Sequence, residues 1–287
     1  MRRAFYARSL GVIAAFGLLS SGCYQLDPFL YTPERMDQYT FNPKGSTALT
    51  TVDPSQIEPV TLQTEDGLSL GAVYVRAAVQ PPRAYVIFFH GKGSALPYHF
   101  KYLKRLSNLG YDVLGFDYRG FGISTNVTPT EAGIEKDSRA ALAWLRERAG
   151  AGANRIFFYG QSFGAATATQ RAEIDPPAAL MLESAFGSIE EFKTDSSQMD
   201  FPAGYVALDS WATSERIKNV TAPVLLMHGL ADDFVRPEFS QKIYDNAHDP
   251  KKLVLVEGAV HGNVPEVLGD QYPTLVQDFV NQYVPAP

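Results

Sequence analysis

The ten residues from Ile156 to Ala165, Ile-Phe-Phe-Tyr-Gly-Gln-Ser-Phe-Gly-Ala, constrain this chain more than any other stretch. A short apolar run ending at Tyr159 predicts a buried strand, and the Ala/Thr-rich run after Ser162 predicts a helix. Between them Gly160, Gln161, Ser162, Phe163 and Gly164 spell G-x-S-x-G. A serine at so tight a strand-to-helix turn takes a strained backbone and projects its hydroxyl clear of the sheet. The two glycines are expected where a Cβ would collide with a neighbouring strand or helix. The helix that follows aims its N-terminal dipole and unpaired N–H groups at a place where negative charge can develop. Such a trio also arises by chance, so the motif alone leaves a purely structural turn open.

The rest of the chain alternates in the same way. An Asp66-Gly67 turn predicts a hairpin between Val60–Thr64 and Leu68–Val75. Apolar strands are predicted at Ala84–Phe89, Tyr111–Phe116, Ala178–Leu182, Pro223–Met227 and Lys251–Val256. Helices are predicted over Tyr98–Leu109, Thr130 to about Arg148, Pro237–Ala247 and Gln271–Tyr283. Apolar strands interleaved with amphipathic helices imply an α/β domain, with a mainly parallel sheet covered on both faces. Sites in such sheets form at the carboxyl ends of the strands.

At 287 residues and 45% hydrophobic, the chain suits one sizeable domain with an N-terminal extension. A net charge of −6 without a basic run argues against nucleic acid as a partner, because phosphate binding needs clustered Lys and Arg. The N-terminus has the layout of a targeting segment: Arg2, Arg3 and Arg8, an apolar core from Leu10 to Leu19, then Ser20-Ser21-Gly22. That core is too short to span a bilayer, so residues 1–22 are expected to be a cleaved signal peptide. Cys23, the single cysteine, follows directly. The arrangement resembles the lipobox of bacterial lipoproteins, although the usual Leu falls one position early, at Leu19. The resemblance implies a lipidated Cys23 and an exported, membrane-anchored protein of the bacterial cell envelope, on its periplasmic or extracellular face. The plainer alternative is a secretory signal cut near Gly22 that leaves a spare thiol. Residues 23–56 read as a tether with an irregular segment that can lie against the domain, and the folded domain is expected over residues 57–287.

A serine hydroxyl needs a base, and the base needs an orienting carboxylate. Of the five histidines, His90 and His228 sit in His-Gly steps after apolar strands, while His99 and His248 are expected on the surface. His261 lies on a glycine-containing loop after the last strand, at the edge of the sheet that carries Ser162. Asp232 and Asp233 follow the preceding strand, and adjacent side chains diverge, so one of the two faces His261. Asp233 could equally be a surface charge or cap the following helix. The order Ser, Asp, His is that of α/β-hydrolases.

From about Ile57 onward the chain resembles serine hydrolases of the α/β-hydrolase superfamily, with their twisted, mainly parallel eight-stranded sheet. It is most similar to the compact, nearly lidless branch of esterases, thioesterases and serine peptidases. The resemblance selects Asp232, three residues after His-Gly and followed by x-x-Val, and implies Ser162 as nucleophile and His261 as base. It also implies an oxyanion hole made of the backbone N–H groups of Lys92 and Phe163. The positive side chain of Lys92, where many relatives have Asn, could favour acidic substrates. Asp117-Tyr-Arg-Gly-Phe-Gly-Ile-Ser124 resembles a family signature and reads as a structural bend beside the pocket. Aspartate in place of Ser162 would have pointed to a dehalogenase or epoxide hydrolase. No cofactor is expected, and no H-E-x-x-H or spaced His/Cys cluster suggests a metal. The expected partner is a small-molecule or lipid-like ester, cleaved through an acyl-enzyme. A peptidase of the same fold and a catalytically silent binding lipoprotein are the alternatives. A short cap at about residues 185–220 carries Phe186, Phe192, Phe201, Tyr205 and Trp211, which either line an acyl pocket or cover the sheet.

Overall fold

The computed structural model of the chain describes residues 24–25, 30–40, 52–195 and 205–287. The signal region, Cys23 and Phe201 lie outside them, as does the side chain of Tyr205. A short strand β1 (Tyr24–Gln25) pairs in parallel with β8 (Tyr205–Val206) of the cap. The main sheet comprises β2 (Ile57–Gln63), β3 (Ser69–Val75), β4 (Ala84–Phe89), β5 (Tyr111–Phe116), β6 (Ile156–Gln161), β7 (Leu180–Glu183), β9 (Val224–Gly229) and β10 (Lys251–Val256). Their spatial order is β10-β9-β7-β6-β4-β5-β3-β2. The pairings of β3 with β2 and β5 are antiparallel, and the other neighbours run parallel.

The central strands are apolar on both sides because both sides are covered. Every residue of β4, β5, β6, β7 and β9 is buried, whereas the edge strand β10 is partly exposed. Among the described residues the α-helices are α1 (Phe100–Asn108), α2 (Glu131–Ala149), α3 (Phe163–Ile174), α4 (Ile189–Asp195), α5 (Thr213–Arg216), α6 (Pro237–Asn246), α7 (Val264–Leu268) and α8 (Gln271–Tyr283). Alternation along each strand divides the core into two layers. Val86, Phe88, Tyr159 and Met181 pack with α1 and α8, while Ile87, Phe89, Phe158 and Leu182 pack with α2, α3 and α6. Thr130 caps α2, its hydroxyl accepting the Gly133 N–H at 3.0 Å. The architecture is the eight-stranded, mainly parallel sheet with helices on both faces that the sequence implies.

Two local expectations are corrected. The hairpin turn is five residues long, because Gln63 pairs with Ser69 and Thr64 bridges the loop through its hydroxyl, which accepts the Leu68 N–H at 2.9 Å. His99 is half-buried and not a free surface residue: its Nε2 is sealed from solvent and its ring lies 5.1 Å from that of His90. Part of the irregular segment before residue 57 lies against the domain. Residues 30–40 run as a strap over the carboxyl ends of the strands. Arg35 donates to the Ser124 carbonyl at 2.5 Å, Tyr39 donates to Asp117 at 2.5 Å, and Leu30 and Tyr31 are buried.

Candidate active site

The turn after β6 is as strained as its sequence demands. Ser162 has φ 55° and ψ −117°, a region costing a non-glycine residue about 1–3 kcal/mol. Its N–H is bonded to the carbonyl of Glu183 on β7 at 2.8 Å. The flanking glycines are there for close approach. A Cβ on Gly160 would stand 2.4 Å from the Gly164 carbonyl oxygen, and one on Gly164 would stand 2.0 Å from that of Phe89. That second approach presses the start of α3 against the turn that carries Lys92. Phe163 is the first residue of α3, where a backbone N–H has no acceptor within its own helix.

Ser162, His261 and Asp232 come together from three separate loops. Ser162 Oγ lies 2.9 Å from His261 Nε2, and His261 Nδ1 lies 2.8 Å from Asp232 Oδ2. Of the base and the acid, the base is the more accessible, the side chains of His261 and Asp232 being 23% and 0% exposed. The outer member can meet solvent and substrate, while the inner one sits in a low dielectric. Burial alone would push the Asp232 carboxyl up. Hydrogen bonds from His228 and His261, the attraction of His261 and the Val235 N–H outweigh it and hold the carboxyl well below the usual range. Asp232 Oδ1 accepts the N–H groups of Phe234 and Val235 at 3.1 and 2.9 Å, which locks its rotamer.

Some contributors were not foreseen from the sequence. His228, read only as a residue after a strand, is fully buried with Nε2 at 3.2 Å from Asp232 Oδ2 and 2.8 Å from the Val235 carbonyl. Its position four residues before Asp232 was the available signal. Gln161, the variable residue of the motif, is wedged between two loops. A Cβ on Gly91 would meet its Oε1 at 2.5 Å, and one on Gly262 its Nε2 at 3.4 Å. Tyr31 of the strap meets the ring of Phe163 edge-on, with centroids 5.8 Å apart. Its hydroxyl donates to Asp209 at 2.5 Å and accepts from Trp211 Nε1 at 3.0 Å. No periodicity in residues 30–40 announces this role.

The cap aromatics resolve in part. Trp211 packs on Phe163 with centroids 4.8 Å apart, and Phe192 packs on Phe234, which in turn lies 5.0 Å from the His261 ring. Phe186, Phe192 and Trp211 are buried, so they back the triad instead of standing open beside it. Lys92 is half-buried, and burial pulls its ammonium below the ordinary lysine value. The Asp117–Ser124 bend is structural: Tyr118 donates to the His90 carbonyl at 3.0 Å, and Arg119 pairs with buried Asp137 at 2.8 Å. Among the described residues no cluster of His, Cys, Asp or Glu is placed to hold a metal, and no helix is long and apolar enough to cross a membrane.

Related chains give the family. Over 261 residues the chain is 33% identical to the uncharacterised protein Rv2307c of Mycobacterium tuberculosis, covering 91% of this chain and 90% of that one. Residues 80–206 match the family described as serine aminopeptidase, S33. The chain belongs to the α/β-hydrolase superfamily. This α/β-hydrolase is also 30% identical over 236 residues to the uncharacterised protein YfhR of Escherichia coli K12, covering 79% of the one and 82% of the other. Its fold is shared with the esterase Pf2001 of Pyrococcus furiosus, with a TM-score of 0.70 at 20% identity over 93% of this chain and all of that one. Those matches support a serine hydrolase and leave open which acyl bond it cleaves.

Proposed function

We propose that this protein is a serine esterase acting on carboxylic esters or thioesters through an acyl-enzyme, with Ser162 as nucleophile. The observation that carries the reading is the unbroken series from Ser162 Oγ to His261 Nε2 and from His261 Nδ1 to Asp232 Oδ2, at 2.9 and 2.8 Å. Ser162 Oγ attacks the acyl carbon as His261 Nε2 takes its proton, and Asp232 holds the imidazole and the charge it acquires. The N–H groups of Phe163 and Lys92 receive the oxyanion, each contributing about 3–4 kcal/mol to the transition state. His261 passes the proton to the leaving group, then activates the water that releases the acid. Ester hydrolysis ranks first because it makes the smallest demand on the leaving-group side. The serine aminopeptidase description of the matching family supports peptide cleavage as the second reading.

The N-terminal pattern supports export and lipidation at Cys23, and hence a lipid-like ester at the envelope membrane as substrate. The test is fluorophosphonate labelling of the mature protein with Cys23 replaced, beside Ser162→Ala and His261→Ala. Labelling that needs both residues supports an activated serine, and a panel of esters, thioesters and peptide amides then separates the two readings. A folded wild type that takes no label ends the hydrolase reading.

A further inference from the structure

Glu183 ends β7 directly below the elbow and has no part in the proton transfers assigned to the triad. Its side chain is fully buried, and its hydrogen-bond partners among the described residues are two tyrosine hydroxyls. Tyr159 donates to Oε2 at 2.6 Å and Tyr102 to Oε1 at 3.1 Å. Tyr272 donates to the Tyr159 hydroxyl at 3.2 Å, so the Tyr159 proton is committed to Glu183. The Tyr102 hydroxyl has a second acceptor in reach, the carbonyl of Gly262, at 3.3 Å. Gly262 follows His261, and its carbonyl also receives Lys101 Nζ at 3.0 Å.

A hydroxyl has one proton to give. With Glu183 ionised, that proton points at the carboxylate, and the Gly262 carbonyl keeps Lys101. With Glu183 protonated from solvent, Oε1–H donates to Tyr102, and the Tyr102 proton turns to Gly262. The donors then run in one direction, from Tyr272 through Tyr159, Glu183 and Tyr102 to the loop that carries His261.

We propose that Glu183 is a positioning residue for the His261 loop, acting through Tyr102, which grips the Gly262 carbonyl when Glu183 is neutral and releases it when Glu183 is ionised. Among the described residues, the charged or titratable groups facing this carboxyl are Lys101, Tyr102 and Arg105 from α1, Tyr159 from β6, Glu266 from α7 and Tyr272 from α8. Burial raises the Glu183 carboxyl above its ordinary value, against the pull of the two tyrosines and Lys101, while Glu266 adds to the rise. Glu266 is itself tied to Lys101 and Arg105, each at 3.1 Å.

The inference rests on His261 being the base, and the experiment separates the two ideas. The second-order rate of fluorophosphonate labelling is measured from pH 5 to 9.5 for wild type, Glu183→Gln, Tyr102→Phe and the double variant. Glutamine reproduces the neutral acid, its carbonyl facing Tyr159 and its amide donating to Tyr102. Glu183→Gln is expected to keep the His261 limb and to exceed wild type at the alkaline end by about two- to tenfold, the worth of one hydrogen bond. Tyr102→Phe is expected to stay at or below the wild-type alkaline level throughout, and the double variant to match it. A Glu183→Gln profile superimposed on wild type overturns the proposal, as does a gain that survives in the Tyr102→Phe background. Should Glu183→Gln not fold, Tyr102→Phe decides alone, and a profile identical with wild type overturns the proposal. A folded wild type without label brings down the triad reading and this one with it. Labelled proteins with unchanged profiles bring down this one alone.

Discussion

The Ser162 N–H is bonded to the Glu183 carbonyl 2.8 Å away, so the most strained turn of the site is tied to the neighbouring strand as well as to its own helix, whose Ala165 N–H bonds the Ser162 carbonyl at 2.9 Å. Such a backbone persists only where its surroundings over-determine it. Here β7 holds one side and the close approach of Gly164 to β4 holds the other.

Gly164→Ala tests that clamp. The added Cβ would lie 2.0 Å from the Phe89 oxygen and 2.7 Å from that of His90, both rigid backbone atoms. Overpacking of this kind costs on the order of 3 kcal/mol, which lowers Tm by roughly 6–12 °C in a domain of this size. Thermal unfolding followed by circular dichroism measures it, and an unchanged Tm would contradict the close approach.

Asp232→Asn is expected to reduce the labelling rate by roughly 10³–10⁴-fold, through loss of the imidazole's orientation and charge partner. The pH dependence of stability carries a second signature. The folded Asp232 carboxyl titrates below its unfolded value, so its contribution is present above the ordinary Asp value of about 4 and fades as pH falls toward the folded one. Urea unfolding from pH 7 down to pH 3 should therefore show the gap between wild type and Asp232→Asn steady near neutrality and narrowing below about pH 4.

Tyr31→Phe tests the strap. Trp211 Nε1, in a side chain 1% exposed, would lose its acceptor and Asp209 a donor. Leaving a buried donor unpaired costs about 1–3 kcal/mol. A loss of that size by urea unfolding is expected, and a change within about 0.5 kcal/mol would mean the strap is not held by this contact.

Arg119→Met strands a carboxylate. Asp137 is fully buried and receives Arg119 through Nη2 at 2.8 Å and through Nε at 2.9 Å. Removing one partner of a buried pair costs about 3–5 kcal/mol. Restoring stability with a second change, Asp137→Leu, would show that the penalty came from the orphaned charge.

Much of the site was legible in the sequence because it obeys local rules. Strand β10 and helix α8 have the boundaries that apolar periodicity predicts. Ser162 announces itself through two glycines whose missing Cβ atoms the structure accounts for at 2.4 and 2.0 Å. Asp232 and His261 lie on loops that follow consecutive strands, so topology carries both to one edge. His99 was misread because helical spacing says nothing about which face another loop will cover.

What the sequence determined by itself was therefore periodicity and punctuation: the order of strands and helices, the strained elbow, and the loops carrying the acid and the base. The tertiary structure alone decided which groups meet across the sheet. Tyr31 lies far from Trp211 along the chain, yet their side chains are 3.0 Å apart. Glu183 reaches the His261 loop through a tyrosine from a helix on another part of the chain. Hydrogen bonds of this kind depend on the angle and depth at which elements pack, and no local pattern of residues encodes either.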